Sequence, residues 1–148
     1  MNRDAVSSLA ARIEQKGYRA IYVVGGPGSG KTTLAENLTA FLDDSYADIH
    51  GDDFMRLPWD QQPAAVTQEF ALYERFVAEG INVSRALRKY PDKCPTGLVV
   101  VCTRRDRTPN PGRDALRVRF EEDLAKIRTS RRGHTILVFD EYGETNEL

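Results

Sequence analysis

The stretch "RAIYVVGGPGSGKTTLAENLTAFL", residues 19–42, limits the possible folds of this chain more than any other. An apolar run of strand type enters a loop with four glycines in six residues, and beyond it Leu34, Leu38, Phe41 and Leu42 keep helical spacing. Strand, glycine loop and helix in that order form half of a parallel crossover unit. At 148 residues there is room for one domain with a sizeable core, and residues 1–148 read as a single unit without repeats or a linker.

The flanking segments extend the pattern. Val6, Leu9, Ala10 and Ile13 mark one face of a helix that Gly17 stops. Strands are expected near Ala20–Val24, Tyr46–His50, Leu98–Cys102 and Thr135–Phe139, the run "GLVVVC" being apolar enough for a strand covered on both sides. Pro63 suits the first turn of a helix whose spacing, Val66, Phe70, Tyr73 and Val77, predicts continuation to Gly80. Asn82 is placed to cap a short helix bearing Val83, Ala86, Leu87 and Tyr90, and a longer helix from about Arg113 to Arg128 turns Leu116, Phe120, Leu124 and Ile127 inward. The expected class is α/β: a parallel sheet of four or five strands with helices on both faces.

In the loop, Gly25, Gly30, Lys31 and Thr32 fit the pattern of a glycine, four residues, a glycine, a lysine and a hydroxyl residue. Glycines let successive N–H groups curl around phosphate oxygens, the helix start adds its positive end, Lys31 adds a full charge, and the Thr32 hydroxyl can ligate magnesium. Gly26, Pro27, Gly28, Ser29 and Thr33 complete the candidate cradle. This is a Walker A loop, and the chain resembles the P-loop NTPase superfamily, which implies ATP and Mg2+ as ligands. The guanine-reading Asn-Lys-x-Asp of GTPases is absent, and "DEYG" at 140–143 stands too near the end of the chain to serve as their phosphate sensor.

A second element refines the resemblance. "GDDFMR", residues 51–56, follows the second expected strand, whose carboxyl end faces the ligand crevice of an open parallel sheet. With the glycine loop it is similar to P-loop kinases of the uridine and nucleoside kinase type, to 5′-polynucleotide kinases and to zeta-toxin-like kinases, which carry an Asp, one residue, then Phe or Tyr at this place. The resemblance implies Asp52 as general base, with Asp53 as the alternative, and Arg56 as a substrate or phosphate contact. It covers the first sixty residues well and the rest only in strand and helix order. A plainer alternative for the acids is a turn that caps the next helix. The family's fifth parallel strand is not evident; it is either absent or hidden between Thr67 and Tyr90.

The implied activity is transfer of the ATP γ-phosphoryl group to a nucleoside, a nucleotide or a 5′-hydroxyl nucleic-acid end. The competing class is an ATPase or nucleotide-binding switch without an acceptor, for which Glu141 is the candidate to polarise water. Residues 104–132 carry ten basic against five acidic residues, +5 in all. By resemblance the loop at about 103–113 is the candidate lid, with Arg104, Arg107 and Arg113 on phosphate; a solvated helix face and a phosphate strip for nucleic acid remain alternatives. Asp140, after "ILVF", is a possible magnesium partner unless the end of "VVVCT" takes that place. Trp59 either stacks on a base or anchors its loop.

Composition excludes little else. The net charge of −1 gives no global field for nucleic acid. The mixed-charge N-terminal stretch suits neither a signal peptide nor a membrane span, so the expected partners exclude membrane and the expected location is cytoplasmic. Cys94 and Cys102 have no metal or redox spacing and are expected to be reduced; His50 and His134 are expected to pack or be solvated.

Overall fold

The computed structural model describes residues 2–103, 111–130, 132–139 and 145–147. Helix α1 (Arg3–Lys16) is held at its start by the Asn2 side chain, which accepts from the Asp4 and Ala5 N–H groups, and at its end by Gly17 at φ 72°. Then come β1 (Ala20–Gly25), α2 (Lys31–Phe41), β2 (Ala47–His50), α3 (Gln62–Phe70), β3 (Phe76–Glu79), α4 (Ile81–Lys89), β4 (Leu98–Cys102), α5 (Pro111–Thr129), β5 (Thr135–Phe139) and β6 (Thr145–Glu147). A 3₁₀ turn, Gly51–Phe54, follows β2 directly.

The sheet order is β2-β3-β1-β4-β5-β6, with the first five strands parallel and β6 antiparallel at the edge. Alternation along the strands divides the core into two layers. Ile21, Val23, Val77, Leu98, Val100 and Leu137 pack under α1 and α2, whereas Tyr22, Val24, Phe76, Ala78, Val99 and Ile136 pack under α3, α4 and α5. Helices therefore cover both faces, as the sequence predicts, and the central strands β1, β3 and β4 are fully buried. No helix among the described residues is long and apolar enough to cross a membrane.

The fifth parallel strand is β3, in the place where the spacing predicts a helix. Helix α3 stops at Phe70; Leu72 and Tyr73 are exposed, and Phe76 N–H donates to the Arg19 carbonyl to start the new strand. The i, i+3, i+7 spacing of Phe70, Tyr73 and Val77 is a coincidence, because a strand of four residues is too short to display a period of its own. Burial between β1 and β2, with Phe70 and Phe76 stacked at 4.9 Å and Tyr22 edge-on to both, outweighs the local pattern. Two smaller expectations also change. Phe41 is 39% exposed, leaving the α2 contact to Leu34, Leu38 and Leu42. Asn82 lies within α4, whose N-cap is Gly80 at φ 126°, and its buried amide serves another purpose described below.

Candidate functional site

The carboxyl ends of β1, β3 and β2 bring together most of the described candidates. Gly25 closes β1 opposite Cys102. A Cβ at Gly25 would stand 2.3 Å from Ser29 Oγ and 3.0 Å from the Cys102 carbonyl oxygen, so the tight entry to the loop needs glycine. Gly28 and Gly30 adopt φ 73° and 86°, the left-handed region that turns successive N–H groups to one side. Gly30 caps α2 without a side-chain acceptor of its own, at the positive end of the helix. Ser29 Oγ is buried and has no protein partner among the described residues. Lys31 Nζ folds back to the Gly26 carbonyl at 3.3 Å and thereby arches over the loop.

The residue that sequence reasoning missed is Glu79. It ends β3, in register with Val23 on one side and His50 on the other, and is only 2% exposed. Thr32 Oγ1 donates to Glu79 Oε2 at 3.1 Å, and His50 Nδ1 lies 3.2 Å from Glu79 Oε1. A buried carboxylate thus touches the hydroxyl expected to ligate magnesium. The signal was present, because "FVAEG" has the form of an apolar run ending in an acid, but assigning a helix to that segment concealed it. Asp140 and Glu141 lie outside the described residues.

Asp52 and Asp53 sit in the 3₁₀ turn that begins at Gly51, and both are exposed with no side-chain partner among the described residues. They cap no helix, since α3 begins only at Gln62. The turn rests on the end of β3: a Cβ at Gly51 would be 3.0 Å from the Glu79 carbonyl oxygen. With β3 intervening and strands about 4.8 Å apart, the end of β2 is about 10 Å from that of β1. Arg56, two residues past the turn, is exposed.

On the other side of the loop, α5 approaches closely. Arg117 Cγ is 3.5 Å from where a Gly26 Cβ would be, and Arg117 pairs with Asp114 at 3.2 Å. A cavity of about 260 Å³ opens between Pro27, Ser29, Thr103 and the Arg117, Glu121 and Arg128 side chains. Arg104 and Arg107 lie outside the described residues, as does the Arg113 side chain; its backbone belongs to α5, so the helix begins inside the expected lid at 103–113. Cys102 and Cys94 are free and buried, and burial pushes both thiols up to about 12, which leaves them unreactive.

A second group of polar side chains adjoins the 3₁₀ turn. Asn82 Nδ2 donates to the Gly51 carbonyl at 3.3 Å and to Gln62 Oε1 at 2.8 Å, and its Oδ1 accepts from Arg85 at 2.8 Å. Arg85 in turn donates to the Trp59 carbonyl and lies 3.6 Å from the centroid of the Trp59 ring. Trp59 is therefore fixed by a buried arginine, yet remains 45% exposed. No known family model matches the chain, and no curated protein matches it.

Proposed function

We propose that this chain is an ATP-dependent kinase of the P-loop type that acts on a nucleoside, a nucleotide or a 5′-hydroxyl nucleic-acid end. The observation that carries the reading is the contact of Thr32 with buried Glu79 at the mouth of a glycine loop opening into a helix start. Orphaned Ser29 Oγ, the left-handed Gly28 and Gly30, and the arched Lys31 suit a triphosphate. Among the described residues no group of three His, Cys, Asp or Glu side chains could hold a metal unaided. That fits Mg2+, which keeps several waters and takes its remaining ligands from one or two protein oxygens and from phosphate.

When bound, Mg-ATP supplies the γ-phosphoryl group and a divalent charge. The loop N–H groups around Gly28 and Gly30 and the start of α2 would hold the phosphates, and Lys31 would neutralise them in place of its contact with the Gly26 carbonyl. Thr32 and Glu79 would hold the Mg2+. Asp52 takes the proton of the acceptor hydroxyl as that oxygen bonds to phosphorus and the bond to the ADP oxygen breaks. Arg56 and the arginines of α5 and of the segment before it provide positive charge near the transferring group. Reduced, buried cysteines are consistent with a cytoplasmic enzyme.

Glu79 also favours a second reading, hydrolysis, because a carboxylate beside the metal ligand can polarise water. Both its oxygens are engaged, by Thr32 and by His50, which supports a positioning role instead. ADP release that requires an acceptor separates the two readings; release without one would establish the ATPase.

A further inference from the structure

Helices α4 and α5 enclose a second cavity, of about 250 Å³, headed by Trp59 and lined by Arg85, Arg88, Arg119 and Lys126 among five basic side chains against two acids. Arg85 is the anomaly in it. The residue is 4% exposed, and its hydrogen-bond and ring partners among the described residues are neutral, Asn82 Oδ1, the Trp59 carbonyl and the Trp59 ring, while the Asp123 and Asp60 carboxylates act on it from beyond ion-pair distance. Desolvation, with the Arg88 and Arg119 charges, holds its guanidinium below the usual arginine range against the opposing pull of Asp123 and Asp60. Asp123, the buried carboxylate of the groove, is ion-paired with Arg88. The one buried carboxylate of the groove is thus taken by Arg88, and among the described residues Arg85 has no acid within ion-pair distance. A buried cation without an anion is costly, and an anionic ligand removes the cost.

The cavity is also tied to the proposed reaction site. Arg85, Asn82 and the Gly51 carbonyl form one hydrogen-bonded chain that ends at the residue before Asp52. An anion held by Arg85 would thus be registered against the turn that carries the base. Trp59, exposed and braced from one side by Arg85, offers an aromatic surface beside that anion.

We propose that the α4–α5 groove binds a phosphate group of the acceptor, with Arg85 as its counter-ion and Trp59 stacking on the adjoining base. Resting on the kinase reading, this makes the acceptor a phosphate-bearing one, not a free nucleoside. The phosphate belongs either to a mononucleotide or to the first phosphodiester of a 5′-hydroxyl strand.

The test is a calorimetric titration of the full chain, with excess Mg-ADP present to fill the glycine loop. The ligands are a nucleoside, its 3′- and 5′-monophosphates and a 5′-hydroxyl trinucleotide of the same base. Fluorescence of Trp59, the sole tryptophan, reports where they bind. The phosphate-bearing ligands should bind about tenfold or more tighter than the nucleoside, as one charge-assisted contact provides, and should perturb Trp59. Arg85→Gln should abolish that preference, read as the ratio of monophosphate to nucleoside affinity within the variant; if this variant fails to fold, Arg119→Gln, at an exposed position, should reduce the preference several-fold. The tighter of mononucleotide and trinucleotide identifies the source of the phosphate. Equal binding of nucleoside and monophosphates, or a preference that survives the substitutions, overturns the proposal. Phosphoryl transfer to a bare nucleoside without phosphate preference would overturn the groove assignment and keep the kinase; phosphate preference without transfer would do the reverse.

Discussion

Gly25→Ala probes the entry to the glycine loop with one methyl group. Its Cβ would lie 2.3 Å from Ser29 Oγ, 3.1 Å from Ser29 Cβ and 3.0 Å from the Cys102 carbonyl oxygen. Ser29 can rotate, but the Cys102 carbonyl belongs to β4 in register with Gly25 and cannot. Overpacking of this kind costs about 1–3 kcal/mol, which for a chain of this size lowers Tm by roughly 2–10 °C. Lifting the loop also scatters its N–H groups, so ATP affinity should fall by about tenfold, a change of about 1.4 kcal/mol. Ser29→Gly removes Ser29 Oγ at 2.3 Å and Ser29 Cβ at 3.1 Å and leaves the 3.0 Å carbonyl contact. The double variant should therefore lose less stability than the sum of the singles, by about 1 kcal/mol of coupling. Thermal denaturation and nucleotide titration of the four proteins decide the matter. Unchanged Tm and affinity in Gly25→Ala, or strict additivity in the double variant, would refute the packing argument.

Three further outcomes follow from the packing and the charges. Glu79→Gln keeps the size of the side chain but removes the charge beside Thr32, and should lower Mg-dependent activity by about 10–100-fold with Tm nearly unchanged, as magnesium titrations of activity would register. Phe70→Ala empties the stack on Phe76 and should cost about 3–5 kcal/mol in urea denaturation without altering the glycine loop. Burial, reinforced by the Arg132 charge, holds the His134 imidazole below its ordinary 6.5, while its Nδ1 accepts from the Gly97 N–H at 3.1 Å. The unfolded chain thus binds more protons here, so this contribution is complete above pH 6.5 and is lost as pH falls through the folded value; His134→Gln should flatten the stability profile below pH 6.5.

The legible parts of the sequence are those in which local chemistry and burial agree. The glycine loop is specified residue by residue, and β1, β4 and β5 are apolar runs whose edges the structure keeps within a residue. Helix α1 ends at Gly17 as its sequence indicates, and the structure adds Asn2 as its cap. Strand β3 was not legible because four residues cannot show a period, and its neighbours β1 and β2 are distant in sequence. Losing β3 also hid Glu79, since an acid at residue 79 points at Thr32 only once β3 lies beside β1. Asn82 looked like a cap for the same reason: its true partners, Gly51, Gln62 and Arg85, include two that only the tertiary fold brings near.

The central claim is that phosphate leaves the loop for an acceptor whose proton Asp52 removes. ADP release from Mg-ATP, measured against nucleosides, nucleoside monophosphates and 5′-hydroxyl oligonucleotides, with Asp52→Asn alongside, tests it most directly. Release that needs one acceptor and falls by about 10²–10⁴-fold in Asp52→Asn is the predicted result. Turnover without an acceptor, or at an undiminished rate in Asp52→Asn, would contradict it.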